Sequence, residues 1–153
     1  MPYQEKTVPQ PSIEDLKKTA KQIRRDIIEM TFASASGHPG GSLSAVEIVT
    51  ALYFSVMRHD PQNPAWPDRD RFILSKGHAS PLLYSALARG GYFDPALLPT
   101  FRKFGSPLQG HPDRRRLPGV EASTGPSARG FPSGSATRLR AALIKKIILL
   151  MLS

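Results

Sequence analysis

Cysteine is absent from all 153 residues, which excludes a disulfide framework, a thiolate zinc site, an iron–sulfur cluster and a cysteine nucleophile. Long hydrophobic runs are absent as well: nowhere do about 18 consecutive apolar residues occur, so no membrane-spanning helix is expected. The N-terminal stretch MPYQEKTVPQPS has no apolar segment behind its positive charge and does not read as a secretory signal. A cytoplasmic chain is the expectation. Aromatic residues make up only 8 % of the sequence and do not interleave with the basic ones, which weighs against a base-stacking nucleic-acid surface.

What is abundant is proline and glycine, 15 and 12 residues respectively, so loops should occupy much of one ordinary domain. The net charge is +9, but after Pro126 there are five basic residues and no acidic one. More than half of the excess therefore sits in the last segment, and a nucleic-acid-binding module is disfavoured. That segment, with Arg138 to Leu152 combining basic and aliphatic residues, leaves an alternative function: a non-enzymatic chain whose tail binds a membrane surface or a partner.

Residues 1–11 read as a flexible start. Ser12 with Asp15 three residues later marks a helix entrance, and Ile13, Leu16, Ala20, Ile23, Ile27 and Met30 keep helical spacing to an expected end near Ser36-Gly37. Lys17, Lys18, Lys21, Arg24 and Arg25 form its solvated face. After a turn at His38-Pro39-Gly40-Gly41, a second helix is expected from Ser42 or Ser44, with Glu47 completing a capping box. Arg71 to Ser75 reads as a strand. Ser80 as N-cap and Pro81 at the first position open a third helix stopped by Gly90-Gly91, and Asp94-Pro95 opens a fourth carrying Leu97, Leu98, Phe101 and Phe104. Residues 105–125 show no periodicity and read as a long functional loop. Helices around a buried strand indicate an α/β layer with most of its sheet missing.

Three of the four histidines stand beside glycine at turns: Gly37-His38-Pro39, Gly77-His78-Ala79 and Gly110-His111-Pro112. Imidazoles in such places can bond phosphate oxygens and substrate hydroxyls or shuttle protons. Zinc is the competing use of three histidines, but spacings of 40 and 33 residues supply no local ligand pair. His59 lacks the glycine context and reads as structural. The basic run Arg114-Arg115-Arg116 reads as a solvated loop rather than a sugar-phosphate attractor.

The stretches from Ser36 to Ser44, Ala51 to Phe54, Arg58 to Pro61, Trp66 to Phe72, Leu74 to Ala79, Leu108 to Pro112 and Pro118 to Gly125, in this order, closely resemble the N-terminal part of transketolases, most of all the separate N-terminal subunit of split ones. The resemblance implies a partial thiamine-diphosphate-binding domain of α/β class, helix-rich, over residues 12–125. It implies two-carbon ketol transfer between sugar phosphates of the pentose phosphate type, with thiamine diphosphate and Mg2+. The partners it implies are a homologous chain and a C-terminal transketolase subunit. Carried onto this sequence, it places His78, Gly125 and Pro126 at the cofactor diphosphate, and His38 and His111 along the substrate channel.

After Pro126 the sequence departs from the family. The Leu-Gly-Gln-Gly segment and the Gly-Asp-Gly motif that carries metal ligands are missing, and residues 126–153 look foreign. A back-translation of Pro126 to Gly134 exists whose shifted frame reads Leu-Gly-Gln-Gly-Leu-Ser-Ile-Gly. The expectation is a frameshifted tail, no metal ligand in this chain, and no turnover by it.

Overall fold

A helix entrance at Ser12 starts the structure as the sequence predicts. The Ser12 hydroxyl accepts the Asp15 N–H at 3.1 Å, and α1 runs over Ile13–Ala33. This is a computed structural model; it describes residues 10–124 and the backbone of a strand at 147–150. The expected sites Gly125 and Pro126, the start 1–9 and the rest of the tail lie outside the described residues.

Helix α1 buries Ala20, Ile23, Ile27 and Met30, while Lys17 and Lys18 stay exposed. Each of the buried isoleucine and methionine side chains contributes about 1.5–3 kcal/mol through area removed from water. The helix closes at a Ser34 cap, before the predicted Ser36, because Ala35 turns to a left-handed φ of 46°.

The next segment differs from the sequence expectation in three ways. Pro39-Gly40-Gly41 is not a turn: Pro39 takes the first position of a short helix α2, Pro39–Leu43. Proline at N1 sacrifices an N–H that has no helical partner anyway, which is why the helix can begin there. Ser44 is not the N-cap of the next helix but the C-cap residue of α2, and its hydroxyl donates back to Gly41 O at 3.1 Å. Helix α3, Val46–Ala51, starts from Ala45 and widens into a π-type turn over Leu52–Val56.

Strand β1 is Arg71–Leu74, with Phe72, Ile73 and Leu74 buried. It pairs in parallel with β2, Ile147–Leu150, Arg71 opposite Ile147 and Leu74 opposite Leu150. Those four residues of the tail are thus strand. A tight 3-10 turn at Gly77–Ala79 leads from β1 into α4, Ser80–Arg89. Here too the predicted cap is corrected: Ala79 is the N-cap residue, and the Ser80 hydroxyl instead donates to Gly110 O at 2.8 Å.

Every residue of α4 from Ser80 to Ala88 is buried, because the helix packs on α1, α2, α3 and the 95–100 segment at once. The fourth predicted helix is only a 3-10 stretch, Pro95–Thr100, capped by Asp94. Pro99 inside it leaves no N–H to extend the ladder. Phe101 is buried at its end, whereas Phe104, predicted to be on the same face, is fully exposed. From 105 to 124 the chain forms no helix or strand, as its lack of periodicity predicts.

Two buried ion networks tie these parts together. The Asp26 carboxylate on α1 accepts from Ser85 (2.6 Å) and from Arg89 Nε and Nη2 (2.8 and 2.6 Å) on α4. Glu121, near the end of the long loop, accepts from Arg69 and, at 2.9 Å, from Arg71 at the start of β1. His59 is structural, as its context predicts. Its Nε2 lies 2.6 Å from Tyr53 O, which can only accept, so Nε2 carries the proton and Nδ1 accepts from the Tyr92 hydroxyl at 3.2 Å. Burial first, with Glu121 and Asp60 adding and Arg69 opposing, pushes the Tyr92 phenol up to about 12.

Candidate functional site

The end of β1 delivers the turn at Gly77–Ala79, and α2 packs against that turn. His78 is thereby brought to the segment that His38 opens. Its Nε2 lies 3.2 Å from the point where a Cβ on Gly41 would stand. His38 is the N-cap residue of α2, in an extended conformation, with no hydrogen bond from its ring to the helix. Both imidazoles are exposed and so available to a ligand.

His111 arrives from the long loop on the other side of Gly77. A Cβ on Gly77 would lie 2.9 Å from His111 Cδ2 and 2.7 Å from Thr124 Cβ, and closer still to the Thr124 hydroxyl. Any side chain at 77 would therefore displace both neighbours. Thr124 is held by its N–H to Pro112 O at 3.0 Å, and its buried hydroxyl has no hydrogen-bond partner among the described residues. A buried hydroxyl without a partner costs about 1–3 kcal/mol, which an oxyanion or other acceptor placed there would relieve.

The loop around His111 is anchored at several points. The hydroxyls of Ser80 and Tyr84 donate to Gly110 O and Gln109 O, each at 2.8 Å. Asp113 accepts from Arg115 and Ser123, and these bonds hold its carboxyl well below the usual carboxylate range. Arg114, Arg115 and Arg116 are exposed. The His111 imidazole is half-buried, and burial first, then the electrostatic influence of Arg102 and His78, holds it below the ordinary histidine pKa. It is therefore neutral at pH 7, able to donate from one nitrogen and accept at the other.

Sequence spacing gave no sign of the Gly77–Thr124 contact, and Thr124 carried no assigned role there. Among the described residues no group of three or more His, Asp or Glu side chains gathers to hold a metal ion, and no helix is long and apolar enough to cross a membrane.

Comparison with known proteins decides the family. Residues 15–147 match the family described as "Transketolase, thiamine diphosphate binding domain". The chain belongs to the transketolase family. It is 48 % identical over 117 residues to the 6-deoxy-6-sulfo-D-fructose transketolase subunit SqwG of Clostridium sp. (strain MSTE9), covering 76 % of this chain and 42 % of that protein. Identity to one of the subunits of the apulose-4-phosphate transketolase of Actinobacillus succinogenes is 45 % over 122 residues, covering 79 % of this chain and 44 % of the relative. This transketolase-family chain thus spans less than half the length of these relatives. The fold agrees with that of the Leishmania mexicana transketolase at a TM-score of 0.71 and 38 % identity, covering 76 % of this chain and 18 % of the other. A Campylobacter jejuni transketolase gives 0.70 and 40 %, covering 78 % and 19 %.

Within a thiamine-diphosphate-binding domain the donor set has a ready use. The unpartnered Thr124 hydroxyl, the space that Gly77 leaves beside it and the exposed His78 ring suit a diphosphate group better than an apolar ligand, since each offers a donor or room for backbone approach.

Proposed function

We propose that this chain forms the diphosphate-side part of a thiamine-diphosphate-dependent transketolase, one that moves two-carbon ketol units between sugar phosphates with Mg2+. In this reading His78 and the Thr124 hydroxyl hold the diphosphate, with Gly125 and Pro126 continuing the cradle. His38 and His111 bond substrate hydroxyls, and His111, neutral at pH 7, accepts or returns a proton at a ring nitrogen. When bound, the cofactor supplies the carbanion chemistry. The chain's own residues bind and orient it.

The observation that carries this reading is the buried, unpartnered Thr124 hydroxyl set against Gly77 and beside His111. Both relatives described above are subunits of larger enzymes by name, which supports assembly with a homologous chain and a separate C-terminal subunit. Equilibrium dialysis of the purified chain against thiamine diphosphate and against thiamine is the test. Retention of the diphosphate ester alone is expected, and equal retention of the two contradicts diphosphate recognition.

The reading extends to the tail. We infer that residues 126–153 derive from a shifted frame, although the family match runs on to residue 147, and that the chain does not turn over; both readings rest on the departure from Leu-Gly-Gln-Gly after Pro126. Ketol transfer above a no-protein control would refute the second point. The nucleotide sequence beyond the Thr124 codon checks the first: a Leu-Gly-Gln-Gly frame leading to Gly-Asp-Gly supports it.

A further inference from the structure

Arg102 has more structure around it than an exposed loop arginine needs. Its backbone sits at φ 59°, a left-handed conformation that a residue with a side chain holds only where its surroundings require it. Its N–H donates to Leu108 O at 2.9 Å, closing the 102–108 loop onto the segment that leads to His111. The guanidinium lies 5.5 Å over the Phe101 ring. One of its nitrogens, Nη1, donates to Ser36 Oγ at 2.6 Å, two residues before His38. Two others, Nε and Nη2, lie 2.7 and 2.8 Å from where a Cβ on Gly110 would stand, one residue before His111. Glycine at 110 is what leaves the planar group its seat.

We propose that Arg102 is a positioning residue of the candidate site, its rigid fork spacing the turn that bears His38 from the loop that bears His111 and holding a fixed positive charge beside the His111 ring. The proposal rests on reading His38 and His111 as substrate-side groups. The groups whose charge acts on His111 are Arg102 and His78; Asp113, two residues on, is already engaged by Arg115 and Ser123. Lysine keeps the charge but not the planar fork, so the two parts of the role are separable.

The test is a proton NMR titration of the histidine rings of the purified chain, comparing wild type, Arg102→Gln, Arg102→Lys and Gly110→Ala, with thermal melting alongside. In Arg102→Gln the His111 midpoint should rise toward the ordinary 6.5, and the His38 and His111 resonances should shift together. Arg102→Lys should keep part of the low midpoint while shifting both resonances. Gly110→Ala, which unseats the guanidinium without removing it, should resemble Arg102→Gln. Melting should move little, since Arg102 is exposed. An unchanged His111 midpoint in both Arg102→Gln and Gly110→Ala overturns the proposal, as does a lysine variant indistinguishable from wild type. Neither result touches the transketolase reading, which fails instead if the wild-type chain does not distinguish thiamine diphosphate from thiamine.

Discussion

Asp26 and Glu121 are both buried carboxylates bonded to arginine, yet they hold different parts of the molecule. Asp26 joins α1 to α4, two helices whose apolar faces already fit together. Glu121 joins an irregular loop, whose Leu117 and Val120 are buried in the core, to the start of β1. Their arginines differ too. Arg89 keeps 32 % of its side chain exposed, whereas Arg69 keeps 8 %. If its carboxylate is lost, Arg89 can turn to water and Arg69 cannot. Buried charge therefore joins two helices in one region and anchors the loop that leads to Thr124 in the other.

The largest effect is expected from Glu121→Ala, which leaves Arg69 buried without its counter-charge and should cost about 3 kcal/mol in urea unfolding. A cost below that of the next variant would reverse the ranking. Asp26→Ala removes hydrogen bonds to charged groups but frees a half-exposed arginine, so about 2 kcal/mol is expected. The same group predicts an acid response. Burial pushes the Asp26 carboxyl up, but hydrogen bonds from Arg89, Ser85 and Gln22 outweigh that and bring it below its ordinary 3.8. A depressed carboxyl stabilises the folded chain fully above its unfolded pKa, and the contribution fades as pH falls below 3.8 through the folded value. Unfolding free energies of wild type and Asp26→Asn should therefore converge on acidification. A difference that stays constant contradicts the linkage.

These predictions come from contacts far apart in sequence, and that is where sequence reading stopped. The cap at Ser12, the apolar period of α1, the β1 strand, the Gly90 stop and the long loop were legible because their signals lie within a few residues. Ser44 and Ser80 misled for the opposite reason: each looks like a cap, but each hydroxyl bonds a carbonyl elsewhere, Ser80 to Gly110 across 30 positions. Phe104 kept helical spacing with Leu97 and Phe101, but the 3-10 stretch ends at Thr100, before it reaches Phe104. The glycine-flanked histidines were visible in the sequence, whereas Thr124 and Arg102 gained meaning only once Gly77, Gly110 and Ser36 stood beside them.

Two smaller effects sharpen the contrast between core and site. Gly77→Ala should weaken thiamine diphosphate binding by about tenfold or more, about 1.4 kcal/mol, because its methyl group meets Thr124 and His111. Unchanged affinity in dialysis would remove Gly77 from the cradle. Lys17→Ala, which breaks an exposed pair with Glu14, should change stability by less than about 0.5 kcal/mol. A larger loss in urea unfolding would mean that the exposed face of α1 contributes to the stability of the fold.

The division between a carboxylate that supports the core and one that supports the site is tested most directly by calorimetric titration of thiamine diphosphate, with Mg2+, into Glu121→Gln and Asp26→Asn at a temperature where both remain folded. Weakened binding in Glu121→Gln with wild-type affinity in Asp26→Asn is the predicted result; equal affinities in the two variants, whether both reduced or both unchanged, would contradict it.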